Sequence, residues 1–83
     1  MAIAERLAQV GEEIEQVEND LRDRRRLLRA FWRHLPPESP AVVGDRMRAA
    51  EQGIRDLERR LQMLRNEQQS LIVRAIILGD RRD

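Results

Sequence analysis

The sequence predicts an all-α protein in which two long helices fold back on each other as an antiparallel coiled-coil hairpin. Three observations carry this prediction. Both halves of the 83-residue chain repeat apolar residues every three or four positions, a proline-rich segment separates the halves, and one register matches the two repeats. Charged residues make up 37% of the chain and aromatic residues 2%, a balance typical of long helices with a large solvated surface.

The first helix is predicted over residues 2–35. Its apolar residues are spaced alternately four and three apart, which is the pattern of a helix that buries one narrow seam. Arg24 is the one polar residue in this seam, where its methylenes can cover the core while the guanidinium reaches solvent. The seam residues are Ile3, Leu7, Val10, Ile14, Val17, Leu21, Leu28, Phe31 and Leu35.

The turn is predicted over residues 36–39, because proline disfavours helical geometry in the residue that precedes it. Ser39 is predicted to be the N-cap of the second helix, with Pro40 at the first helical position. A turn this short leaves the two helices antiparallel.

The second helix is predicted over residues 40–78, with Gly79 as its stop and residues 79–83 as a short charged tail. Its seam is interrupted only by Gln68. The seam residues are Val43, Met47, Ala50, Ile54, Leu57, Leu61, Leu64, Leu71, Ala75 and Leu78.

One register aligns the two seams. When the numbers of facing residues sum to 78, every seam position of one helix meets a seam position of the other. Leu28 then faces Ala50 and Ile3 faces Ala75, so that large side chains oppose small ones, as interdigitated packing prefers. This agreement between the turn, the spacing and the register favours the hairpin.

The end of the second helix carries more apolar residues than the seam uses. Because two helices with one seam each form a thin core, and because an exposed apolar patch normally marks an interface, we expect this segment to contact protein. The partner would be a second copy that completes a helical bundle, or a larger assembly; Arg74 and Asp80 fit a membrane surface poorly. The predicted contact residues are Leu71, Ile72, Val73, Ile76, Ile77 and Leu78, with Leu27 and Trp32 near the turn.

All sixteen basic residues are arginines, and five of them form a stripe on the outward face of the first helix. Residues 22–56 carry nine arginines and five acids, whereas the rest of the chain has a net charge of −3. Such a stripe could bind phosphates or an acidic protein surface, or be a solvated face with pairs such as Glu18–Arg22. The overall charge of +1 argues against general coating of nucleic acid. The arginine stripe comprises Arg22, Arg25, Arg26, Arg29 and Arg33.

The residue patterns do not indicate catalysis, a metal site or a cofactor. Cysteine is absent, and Ser39 and Ser70 have no base placed to activate them. His34 has no second ligand at metal-site spacing, so we expect it to cap the end of its helix. No apolar run is long enough for a membrane span, and residues 1–10 lack the core of a signal peptide. These features predict a cytoplasmic, non-enzymatic interaction or adaptor module.

Two architectural resemblances suggest more specific roles. The hairpin plan resembles the small plasmid RNA-binding hairpins that dimerise into four-helix bundles, which implies a regulatory nucleic-acid-binding protein. The turn Pro37-Glu-Ser-Pro40 followed by Ala41, together with Ala75-Ile76-Ile77, is similar to type III secretion needle subunits, which have a P-x-x-P turn between two helices. That likeness implies a structural subunit or chaperone of a secretion apparatus, although the strict heptads and dense arginines depart from the needle pattern.

Overall fold

A computed structural model of the chain describes residues 2–80, and these residues form two long α-helices that pack against each other. Helix α1 spans Ile3–Arg33 and helix α2 spans Pro40–Asp80. Together they make a rod 67 Å long and 16 to 18 Å thick. The predicted all-α helical hairpin is confirmed over the described residues, which contain no strand.

Helix α1 ends at Arg33, two residues before its predicted end. The reason is the proline that follows, since Leu35 cannot adopt helical geometry next to Pro36 without a steric clash. His34 has already left the helix at φ −132°, and its backbone N–H donates a hydrogen bond to the carbonyl oxygen of Ala30 (3.1 Å). The bond that closes this end therefore comes from the backbone of His34.

Helix α2 begins where the sequence predicts and extends further. The Oγ atom of Ser39 accepts a hydrogen bond from the backbone N–H of Val42 (3.4 Å), so the predicted N-cap is confirmed. The prediction that Gly79 stops the helix is wrong, because α2 continues through it and none of the described glycines has the positive φ that such a stop needs. A glycine inside a helix costs only about 1 kcal/mol relative to alanine, so the helix tolerates it. Residues 81–83 of the predicted tail lie outside the described residues.

The buried core is concentrated in the half of the rod that lies away from the turn. Val10 at its centre is fully enclosed. Partly buried apolar side chains of both helices, including Ile14 and Leu57, pack around this centre. Burying a side chain of this size stabilises the fold by about 1.5–3 kcal/mol. The cluster consists of Val10, Val17, Leu21, Leu61, Leu64 and Leu71.

Three predicted seam positions are exposed instead of buried, namely Leu35, Ala50 and Leu78. Leu35 lies beyond the end of α1, and Leu78 lies in the last turns of the longer helix, where α1 offers less surface to pack against. Ala50 and Leu28 line an open groove that the short side chain of Ala50 does not fill. The seam therefore stays partly open near the turn and at the tip.

Arg24 fits into the seam because a glycine faces it on α2. Its Nη1 atom lies 2.9 Å from the point that a Cβ atom at Gly53 would occupy. The guanidinium thus occupies space that a side chain at position 53 would need, and Arg24 remains exposed. The polar interruption of the α1 seam is accommodated by the missing side chain opposite it.

We expect Leu21→Ala to destabilise the hairpin far more than Leu35→Ala, although the sequence places both leucines in the seam. Leu21 is 3% exposed, and truncating a leucine in a packed core costs about 2–5 kcal/mol. Leu35 is 50% exposed and should cost less than about 1 kcal/mol. Urea denaturation followed by far-ultraviolet circular dichroism measures both losses. Equal losses would contradict this placement of the core.

Candidate functional site

Apolar side chains are exposed at the C-terminal end of α2. Their exposed fractions lie between 45% and 59%. Leu71, which the sequence analysis included among the contact residues, is instead buried in the hairpin core because its seam position directs it towards α1. The remaining residues form the C-terminal apolar surface, which consists of Ile72, Val73, Ile76, Ile77 and Leu78.

A second group of exposed apolar side chains lies at the turn end of the rod. Leu27 and Trp32 are 67% and 58% exposed, and Leu35 and Val42 are also open to solvent. Beside them lies an open groove of about 420 Å³, the turn groove, lined by Arg24, Leu27, Leu28, Phe31, Arg46 and Ala50. Among the described residues, the large exposed apolar side chains thus lie at the two ends of the rod, with Met63 alone between them.

The arginine stripe is exposed along its whole length, and three of its members are already engaged. A guanidinium nitrogen of Arg22 donates to the side-chain oxygen of Asn19 (3.1 Å), and one of Arg26 donates to the carboxylate of Asp23 (2.6 Å). Arg25 donates across the hairpin to the carboxylate of Glu58 on α2 (3.1 Å). The two remaining members of the arginine stripe, Arg29 and Arg33, make no ion pair with any residue in the described part of the chain.

A charged cleft of about 490 Å³ lies on one face of the rod. Two ion pairs join the helices there: Arg25 Nη2 lies 3.1 Å from Glu58 Oε2, and Arg65 Nη2 lies 3.4 Å from Glu18 Oε2. Glu18 therefore contacts Arg65 rather than Arg22, which corrects the predicted i,i+4 pair. The cleft is lined by Glu18, Leu21, Arg22, Arg25, Arg29, Glu58, Leu61, Gln62 and Arg65.

The interhelical pairing of Glu18, Glu58 and Arg65 is not among the features predicted from the sequence. A signal was present, since Glu18 and Arg25 are seven residues apart on α1, and Glu58 and Arg65 are seven residues apart on α2. Residues at this spacing occupy one row along a helix. Once the helices are aligned, Glu18 lies level with Arg65 and Arg25 lies level with Glu58, so the two rows carry opposite charges at each level.

A third interhelical ion pair lies nearer the open end of the hairpin. The Nε and Nη2 atoms of Arg6 donate to the two carboxylate oxygens of Glu67, at 2.6 and 2.8 Å. Such a bidentate contact holds both side chains in a defined geometry. The hydrogen bonds from Arg6 lower the pKa of Glu67, against an opposing effect of partial desolvation.

Within residues 2–80 no cluster of three or more histidine and carboxylate side chains could hold a metal ion. Neither helix contains, over the residues described, a stretch long and apolar enough to cross a membrane. Comparisons with models of protein families, with curated proteins and with solved structures yield no match for this chain. The exposed surfaces and the cleft described above are therefore the observations on which a functional proposal rests.

Replacing Arg6 with glutamine should return the pKa of Glu67 to its ordinary range, because the hydrogen bonds that favour the carboxylate are lost. In the unchanged protein the pKa of Glu67 is lower folded than unfolded. Its stabilising contribution is thus present above the unfolded pKa and is lost as the pH falls through the folded one. A carboxyl-detected NMR titration of both proteins measures the shift. Identical titration curves would show that the pair does not form in solution.

Proposed function

We propose that this chain is a non-enzymatic association module, an antiparallel coiled-coil hairpin whose C-terminal apolar surface is covered by another polypeptide. The observation that carries the proposal is the exposure of five large apolar side chains within residues 72–78, four of them at positions that the seam does not use. Contiguous apolar surface on a soluble chain marks a contact site more often than it marks anything else.

The three interhelical ion pairs support the coiled-coil register. In an antiparallel coiled coil, residues that flank the seam pair across it on either side. In the predicted register the numbers of facing seam residues sum to 78. The residue numbers of Glu18–Arg65 and of Arg25–Glu58 sum to 83, whereas those of Arg6–Glu67 sum to 73. The first two pairs therefore lie on one side of the seam and the third lies on the other side. One register thus accounts for the buried residues and the ion pairs together.

The small size of the core also supports association. Seven apolar side chains, the six of the core cluster and Met47, are buried among the residues that the structure describes. A chain of this length usually needs disulfides, a metal or a second polypeptide to gain adequate stability, and this one has no cysteine. Covering the C-terminal apolar surface would supply the missing burial. A structural subunit of a larger assembly, or a chaperone, would be special cases of the same activity.

Nucleic-acid binding through the arginine stripe is the second candidate. The exposed and unengaged guanidiniums of Arg29 and Arg33 favour it, because such groups can contact phosphates. The carboxylates of Glu18 and Glu58 weigh against it, because they line the same cleft as Arg29 and repel phosphates. Association through apolar surface therefore ranks above it.

We expect Ile72→Glu combined with Ile76→Glu to abolish association while much of the helix content survives. Two charges would have to be buried in an apolar contact, which should weaken binding at least about hundredfold. The measurements are the molar mass in solution by light scattering and the recovery of partners from a lysate of the native source.

The matched control carries the same two added charges, Asn66→Glu and Ser70→Glu, at exposed positions outside the C-terminal apolar surface. The control should behave like the native chain. If the Ile72 and Ile76 double variant matches the native chain in both measurements, the proposed function is wrong.

For the second candidate, changing Arg22, Arg26 and Arg29 together to glutamine should abolish a salt-dependent mobility shift with RNA or DNA. Each phosphate contact that is removed should also flatten the dependence of binding on salt. A native chain that produces no shift at low salt rules out this candidate.

A further inference from the structure

We infer that a second copy of this chain covers the charged cleft, with the two rods side by side and antiparallel. A two-fold axis relates the copies. It lies between them at the middle of the cleft and runs perpendicular to the long axes of both rods. This inference rests on the proposed function and names the partner. It also assigns the charged cleft to the interface, in addition to part of the C-terminal apolar surface.

The first support is the pattern of charges along the cleft. On α1, one row reads Glu18 and then Arg25 towards the turn; on α2, one row reads Arg65 and then Glu58 in the same direction. A half-turn about an axis between the members of each row sets Glu18 opposite Arg25 of the second copy. It also sets Glu58 opposite Arg65 of the second copy. Each charge then has an opposite charge above it as well as one beside it.

The second support comes from the same α1 row, which continues by seven residues in both directions. It reaches Gly11 on one side and Trp32 on the other. The same half-turn places Trp32 of the second copy over Gly11, where no atom other than the adjoining backbone of its own helix lies within 4 Å of the position that a Cβ atom would occupy. The exposed indole of Trp32, 58% open in the single chain, thus gains a space that accepts it.

The corresponding α2 row ends at Glu51 and Ile72. The half-turn brings Ile72 beside Glu51 of the second copy, whose carboxylate lies 3.9 Å from Arg55 of its own helix. Ile72 and Ile76 then lie under the turn end of the second copy. Because Gly11 lies level with Ile72, Trp32 of one copy then lies near Ile72 of the other at each end of the closed dimer.

The third support is the distribution of net charge. Residues 22–56, nearest the turn, carry +4, whereas the rest of the chain carries −3. An antiparallel arrangement sets the basic half of each copy against the acidic half of the other. A two-fold axis along the rod would instead set like halves side by side, which is unfavourable.

The available surface is large enough for a stable dimer. At 1.5 Å per residue the overlapping parts of the rods extend over about 50 Å. A face 16 to 18 Å wide then buries roughly 800–900 Å² per copy, which is the size of a standard specific interface.

Charge-swapped variants test this arrangement without removing either intrachain ion pair. Glu18→Arg with Arg65→Glu reverses one pair within the chain, yet it sets like charges opposite each other across the two-fold axis. Arg25→Glu with Glu58→Arg does the same for the other pair. We expect each double variant to dimerise at least about tenfold more weakly than the native chain.

Mixing the two double variants should restore dimers, because every cross-axis contact then joins opposite charges. The quadruple variant should also dimerise on its own. Sedimentation equilibrium gives the dissociation constants, and circular dichroism shows whether each variant keeps its helices. Trp32 is the only tryptophan, so its fluorescence should shift to shorter wavelength in the dimers and not in the double variants alone.

Double variants that dimerise as tightly as the native chain overturn this arrangement, and they indicate a two-fold axis along the rod or contacts at its ends. The proposed function is unaffected by that result, since it depends on the Ile72 and Ile76 variant. A native chain that captures only a different protein, and never pairs with itself, also overturns the inference while it supports the proposed function.

Discussion

The structure depends on one geometric constraint: a helix in a two-helix hairpin can bury only the stripe that faces its neighbour. The described part of this chain meets the constraint with a core of Val10, Val17, Leu21, Leu61, Leu64 and Leu71, and it uses no other stripe for packing. Any further apolar side chain on either helix must remain in water until another molecule covers it. The residues of the C-terminal apolar surface are in this position, and this is why association is the proposed function.

The same constraint explains why charge governs how the helices align. Because the seam itself is narrow, the residues that flank it are only partly covered, and here they are largely arginine and glutamate. Arg6–Glu67, Arg25–Glu58 and Arg65–Glu18 join the helices on the two sides of the seam. Exposed pairs contribute little energy one at a time, so their main effect is to favour one alignment over others.

Much of the fold could be predicted because it depends on neighbours in sequence. Proline geometry places the turn, and Ser39 caps α2 through its own backbone neighbours. The pairing of Glu18 could not be predicted, since Arg22 on its own helix and Arg65 on the other are both within reach. The burial of Leu71 and the exposure of Leu78 depend on how far α1 extends beside the longer helix. The charged cleft follows from a seven-residue spacing that gains meaning only once the two helices are aligned.

We infer that a second copy of the chain covers the charged cleft together with Ile72 and Ile76, which the hairpin leaves exposed. The most direct measurement is the molar mass of the unaltered protein by sedimentation equilibrium over a wide range of concentration. The mass should rise to twice the 9.8 kDa of one chain and then stop, as a closed two-fold dimer requires. A fully helical protein that stays at 9.8 kDa at every concentration would contradict this inference.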